Sequence, residues 1–196
     1  MLIDSKIRQF GEIFDHKDWA VEDEGPGFKI WKRAHPLNVE RKAEVTIPMS
    51  LDQFVARILD FRSMQLVNPD IIVHKEIEKY SDNYSLVFVE YKVSFPFSNR
   101  EFLSFQVKRR TESDFTMVNF AANDNLKKGS GSNVRGKNVL SGWAAEKVTE
   151  DSIKVRFLTI TNPNISVLPK ALIEMGSKEA GKIPLLFSRK FAKATK

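Results

Sequence analysis

The chain has 196 residues, of which 42% are hydrophobic and 29% charged, with a net charge of +6. That is the size of one ordinary domain, spanning residues 1–196, and a composition that excludes disordered and fibrous classes. It contains no cysteine, which removes disulfides, thiolate nucleophiles and cysteine-ligated metals and fits a reducing compartment.

The three histidines, His16, His35 and His74, lie far apart and form no metal-ligand spacing, so neither a metal nor a cofactor is expected. The basic excess gathers at the C-terminal end. Lys170, Lys178, Lys182, Arg189, Lys190, Lys193 and Lys196 stand there against Glu174 and Glu179 only, an arrangement suited to anionic surfaces. No apolar run reaches the roughly 18 residues of a membrane span, and the polar, acidic start is unlike a signal peptide. A cytoplasmic protein, transiently peripheral at membranes, is the expectation.

Leu2, Ile3, Ile7, Phe10, Ile13 and Phe14 recur at spacings of three and four, which predicts an amphipathic helix over residues 1–15. After a Gly25-Pro26-Gly27 turn, residues 28–33 and 39–47 alternate with period two and read as strands. Ser50 and Gln53 form a capping-box pattern for a helix to residue 61. Strand patterns follow over residues 71–80, 84–95, 101–110, 115–121, 139–148 and 153–160, joined by short polar turns that require a mostly antiparallel sheet. From Pro169 to about residue 193 the pattern is one long helix, bent by Gly181 and Pro184. A twisted sheet of this size needs cover on its concave face, and only that helix is long and apolar enough to supply it.

Residues 89–92 (VEYK), 93–102 (VSFPFSNREF) and 108–110 (KRR) closely resemble the central segment of the START (steroidogenic-acute-regulatory-related lipid transfer) domains. Val134-Arg135, Ser141-Gly142-Trp143, the run 168–173 (LPKALI) and the run 181–184 (GKIP) recur in the order such domains show. The likeness is greatest to the phosphatidylcholine-transfer type and covers about residues 27–191. It implies an α+β helix-grip fold of the START and Bet v 1-like kind, a curved antiparallel sheet wrapped around a long C-terminal helix with an internal cavity. It also implies a non-catalytic, monomeric carrier of one lipid, most readily a glycerophospholipid, with a sterol or another hydrophobic ligand, bound or sensed, as the alternative.

On that resemblance the cavity candidates are Tyr91, Phe102, Ser104, Gln106, Arg135, Asn138, Trp143, Leu172, Met175 and Phe187. Gln106 stands where the family often has an arginine, so a phosphate contact at that position lacks its charge. Val139 replaces part of an aromatic choline cage. Phe95, Phe97, Ile165, Val167 and Leu168 are the candidate gate residues, and Lys190 joins them as a membrane contact. Strand alternation puts Phe102, Ser104, Gln106 and Lys108 on one face and Leu103, Phe105 and Val107 on the other without deciding which looks inward. An enzyme of the same fold would need an inward acid or base, and Glu90 falls opposite the face of Val87, Val89 and Tyr91. The short basic clusters lack the interleaved aromatics of a nucleic-acid binder, so no nucleic acid is expected.

Overall fold

The computed structural model describes residues 1–93, 97–127, 129, 131–164 and 178–192. Helix α1 (Leu2–Asp15) is followed by strands β1 (Ala20–Gly25), β2 (Phe28–Lys32) and β3 (Val39–Ile47). Next come α2 (Leu51–Leu59), α3 (Phe61–Val67), β4 (Ile71–Ser81), β5 (Tyr84–Tyr91), β6 (Arg100–Arg110) and β7 (Asp114–Ala121). A two-residue β8 (Val134–Arg135) precedes β9 (Lys137–Thr149), β10 (Ser152–Asn162) and the last described helix, α4 (Ile183–Phe191). The strands form one sheet in the order β1-β2-β3-β10-β9-β7-β6-β5-β4, antiparallel except where β8 pairs with β6.

Two elements differ from the sequence reading. The expected helix over residues 50–61 divides at Asp60, whose carboxylate accepts hydrogen bonds from the Arg62 and Ser63 amides and so starts a new helix. Strand β1 has no hydrophobic alternation because it is an exposed edge strand, held to β2 by its backbone. In the C-terminal region residues 178–181 are helical, and the helix is interrupted at Lys182, between Gly181 and Pro184.

The sheet has two differently covered faces. Helix α1 lies on the convex one, where Ile7, Phe10 and Phe14 pack on Val107, Val118, Leu140 and Leu158. Gly142 makes this approach possible, since a Cβ there would stand 2.4 Å from the Met117 carbonyl oxygen and 3.2 Å from the Phe10 ring. Lys42 closes the end of this layer. Its Nζ donates to the Phe14 carbonyl at 2.5 Å and sits 4.9 Å from the Phe14 and Trp31 ring centres, and burial draws its pKa below the usual lysine value.

On the concave face Phe54 of α2 and Phe187 and Phe191 of α4 form an aromatic cluster with Trp143 and Phe157. This cluster fills one end of the concavity. The strand faces are thereby settled: Val107 belongs to the α1 side, so Phe102, Ser104, Gln106 and Lys108 look inward.

Candidate functional site

Strand register lines up side chains that are remote in sequence. On the concave face Ser85 pairs with Gln106, Gln106 with Asn119, Asn119 with Ser141, Ser141 with Thr159, and Thr159 with Arg41. The result is an unbroken polar row across six strands. One step towards the helices lies the apolar row of Met117, Trp143, Phe157, Ala43 and Ile30, which carries the aromatic cluster. One step the other way the wall is Val87, Ser104 and Ala121, then Val89 and Phe102, then Tyr91 and Arg100. The row is therefore a polar band between a packed core and a mainly apolar wall.

Asn138 joins the band through a bulge. Leu140 opposes Ile160 and Asn138 opposes Thr161, leaving Val139 as the extra residue, 40% exposed. Without the bulge Asn138 would face α1 with Leu140; with it, Asn138 turns inward. Its Nδ2 donates to the hydroxyls of Ser104 and Ser141 at 3.3 and 2.9 Å. Gln106 Nε2 donates to Asn119 Oδ1 at 3.0 Å. Two atoms of the band, Ser85 Oγ and Asn138 Oδ1, are buried with no hydrogen-bond partner among the described residues. Buried polar atoms ordinarily find partners, so each of these two atoms, on strands separated by β6 and β7, marks a place for a further polar group.

The cations of the concave face are largely occupied. Arg41 presents Nε and Nη2 to the two Glu22 oxygens at 2.8 and 3.2 Å and Nη1 to the Glu40 carbonyl. Arg100 donates Nε to the Pro163 carbonyl at 2.9 Å and Nη1 to that of Ser98, which ties the loop before β6 to the loop after β10. Lys108 lies beyond the band at the opposite end. There a cleft of about 210 Å³ runs between Ile58, Phe61, His74, Lys108 and Met117 and reaches Gln106. Burial holds the His74 pKa below its ordinary value, keeping the imidazole neutral at pH 7, and its ring stands edge-on to Phe61 at 5.8 Å. Tyr91 meets Phe102 edge-on at 5.7 Å, and burial raises its phenol to about 12.

Of the residues singled out from the sequence, the structure brings Tyr91, Phe102, Ser104, Gln106 and Asn138 to one face. Trp143 and Phe187 are on that face too, but as core: the Trp143 ring is ringed by Phe54, Phe157 and Phe187. Arg135 is a correction. Its guanidinium turns to the fully buried Glu101 at 2.9 Å, on the side of the sheet away from Gln106, because Glu101 alternates with Phe102. Glu90 is on that far side as well, accepting from Asn99 Nδ2 at 3.1 Å. Phe97 is half-buried and Lys190 exposed. Phe95, Ile165, Val167, Leu168, Leu172 and Met175 lie outside the described residues. Ser85, Asn119, Ser141 and Thr159 were not legible as a site, since each is a lone polar residue among apolar neighbours, and Arg41 sits in the charged run Glu40-Arg41-Lys42, which has the pattern of a solvated strand.

Neither a family model nor a curated protein matches the amino-acid sequence. The architecture does match solved structures. Human STARD10 superposes with a TM-score of 0.83 at 16% identity, covering 95% of this chain and 78% of that one. Human StAR-related lipid transfer protein 5 gives 0.83 at 14%, covering 100% and 95%. The fold is the START fold. A more distant likeness, TM-score 0.53 at 9% identity over 80% of this chain and 93% of that one, is to the Zhui aromatase/cyclase from Streptomyces. At such identities the START likeness is one of architecture, which leaves the chemistry of the cavity to this chain's own residues.

Proposed function

We propose that this protein binds a single lipid on the concave face of its sheet and carries it between membranes. The observation that supports this most is the polar band itself, with two buried unpartnered atoms and an apolar wall rising from it. An apolar wall with a few fixed polar groups is what a lipid with one polar end requires. Human StAR-related lipid transfer protein 5, which shares the fold, is named for lipid transfer, in keeping with this reading. Acyl or ring carbons gain about 0.8 kcal/mol per buried CH₂ in a bilayer or in a protein cavity alike, so exchange between the two is nearly neutral and only the aqueous barrier has to be lowered.

Exit is assigned to the end where Arg100 joins the Ser98 and Pro163 loops, opposite the end that α4 fills. A catalytic role is disfavoured by position, because Glu90 faces away and Glu22 is engaged by Arg41. The resemblance to phosphatidylcholine carriers supports a glycerophospholipid cargo, whereas the uncharged band supports a sterol-like one. Native mass spectrometry of the purified protein, followed by transfer measured between donor and acceptor vesicles, tests the proposal. One lipid per chain with accelerated transfer is the expected result. A protein that neither carries lipid nor takes it from vesicles refutes it.

A further inference from the structure

We infer that the cleft beside α3 is a water passage into the inner end of the polar band, through which water leaves when a lipid enters from the Arg100 end. The inference rests on the lipid-binding reading and adds to it a second opening with a different occupant. The cleft, of about 210 Å³, lies beside the aromatic cluster and shares Met117 with it. One wall is Ile58 and Leu59 of α2 with Phe61 of α3, so that the helix break at Asp60 falls between two of its lining residues. The exposed Leu59, Lys75 and Glu76 form its outer rim, and the buried Val87, Gln106 and Met117 its inner end.

Three observations make water the occupant. Ser85 Oγ, on β5 two residues from Val87 and paired across to Gln106, is buried with no hydrogen-bond partner among the described residues, and such an atom is ordinarily met by an ordered water. Glu76, Lys108 and the neutral imidazole of His74 supply donors and acceptors along the cleft, and a rim with these charges is unfavourable for an acyl chain. The volume has room for several waters at about 30 Å³ each, and is below the roughly 300–1,000 Å³ of pockets that hold larger organic ligands.

The need for a passage follows from loading. Gln106 is six residues from Arg100 along β6, about 20 Å at the rise of a strand. A lipid entering at Arg100 fills the concavity behind its leading end, so water held at Ser85, Gln106 and Asn119 cannot return past it. The cleft meets the band at Gln106 and lets that water leave ahead of the lipid and come back as the lipid departs.

The test compares the full chain with Leu59→Trp, which puts an indole on the exposed rim, and with Leu59→Ser, which alters the rim without filling it. In the lipid-free native chain, NMR magnetisation transfer from water to the Gln106 side-chain amide is expected, and Leu59→Trp should reduce it. No transfer in the native chain, or transfer that Leu59→Trp does not reduce, overturns the inference whatever the lipid does. Loading from vesicles of phosphatidylcholine, phosphatidylserine and cholesterol is then followed by native mass spectrometry at timed intervals. Leu59→Trp should load and unload about 10-fold more slowly, about 1.4 kcal/mol on the barrier, and reach the same occupancy of one lipid per chain, whereas Leu59→Ser should match the native chain. Equal rates in all three overturn the passage and leave lipid binding standing. A lower final occupancy in Leu59→Trp would show that the cleft holds part of the lipid, and overturns it too. A native chain that takes no lipid refutes the lipid-binding reading, and the water transfer to Gln106 then decides separately whether the cleft conducts water.

Discussion

Helix α4 closes one end of the concavity, and Phe187 is the residue that fixes it. Its side chain is fully buried, with ring centres 5.3 Å from Phe54, 5.9 Å from Trp143 and 4.9 Å from Phe191. Phe187→Ala removes a buried phenyl and leaves a cavity between Phe54 of α2, Trp143 of β9 and Phe191 of α4, so it should cost about 3–5 kcal/mol. For a chain of this size that lowers the melting temperature by roughly 6–20 °C. The assay is thermal unfolding followed by circular dichroism, with urea titration as a check that the slope is unchanged. A double-mutant cycle with Phe54→Ala should give a coupling of about 0.5–1.5 kcal/mol, as expected for one aromatic pair. A loss below about 1 kcal/mol, or no coupling, would mean that α4 is not seated in the core and that the end of the cavity is not closed as described. If it is seated there, the variant should also release bound lipid faster than the native chain.

Further outcomes can be checked independently. Because burial depresses the His74 pKa in the folded state, the unfolded chain takes up the proton first; stability should fall as the pH drops below about 6.5, and His74→Phe should flatten that limb in urea titrations at pH 5 and 7. Tyr91 has the opposite sense, a folded pKa raised to about 12, so its stabilising effect is present below pH 10 and declines as the pH rises towards 12; absorbance titration should show one of the three tyrosines ionising last. Gly142→Ala places a methyl against the Met117 carbonyl and should destabilise by about 1–3 kcal/mol in chemical denaturation. Lys42→Met removes a charge-assisted bond to the Phe14 carbonyl and the cation between Phe14, Trp19 and Trp31; it should cost about 1–3 kcal/mol and change tryptophan fluorescence.

How much of this was legible in the sequence follows from the range over which each feature is determined. Periodicity and capping are local, so α1, the Ser50–Gln53 cap and strands β4 to β7 could be read directly. The break at Asp60 also had a local signal, an Asp three residues before Ser63, but it was hidden by continuous apolar spacing across it. Which face of β6 looks inward could not be read, because both faces are covered: Val107 by α1, Gln106 by the concavity.

The polar band is the extreme case of a non-local feature. Its members are spread from residue 41 to residue 159 and acquire meaning only through the pairing of six strands. Asn138 depends on one further step, since a single extra residue at Val139 decides whether its amide faces α1 or the cavity. Asn138→Ala keeps the bulge and removes the amide from the band. Such a variant should keep the sheet and the α4 cluster, with circular dichroism near that of the native chain, while losing selectivity between a hydroxylated lipid and its analogue lacking the hydroxyl. Unchanged selectivity would show that the band does not read the cargo through Asn138. The fold is thus set by patterns repeated along each element, whereas ligand choice is set by register and by one bulge, which is why START-fold proteins at about 15% identity to this chain can share a sheet without sharing a cavity.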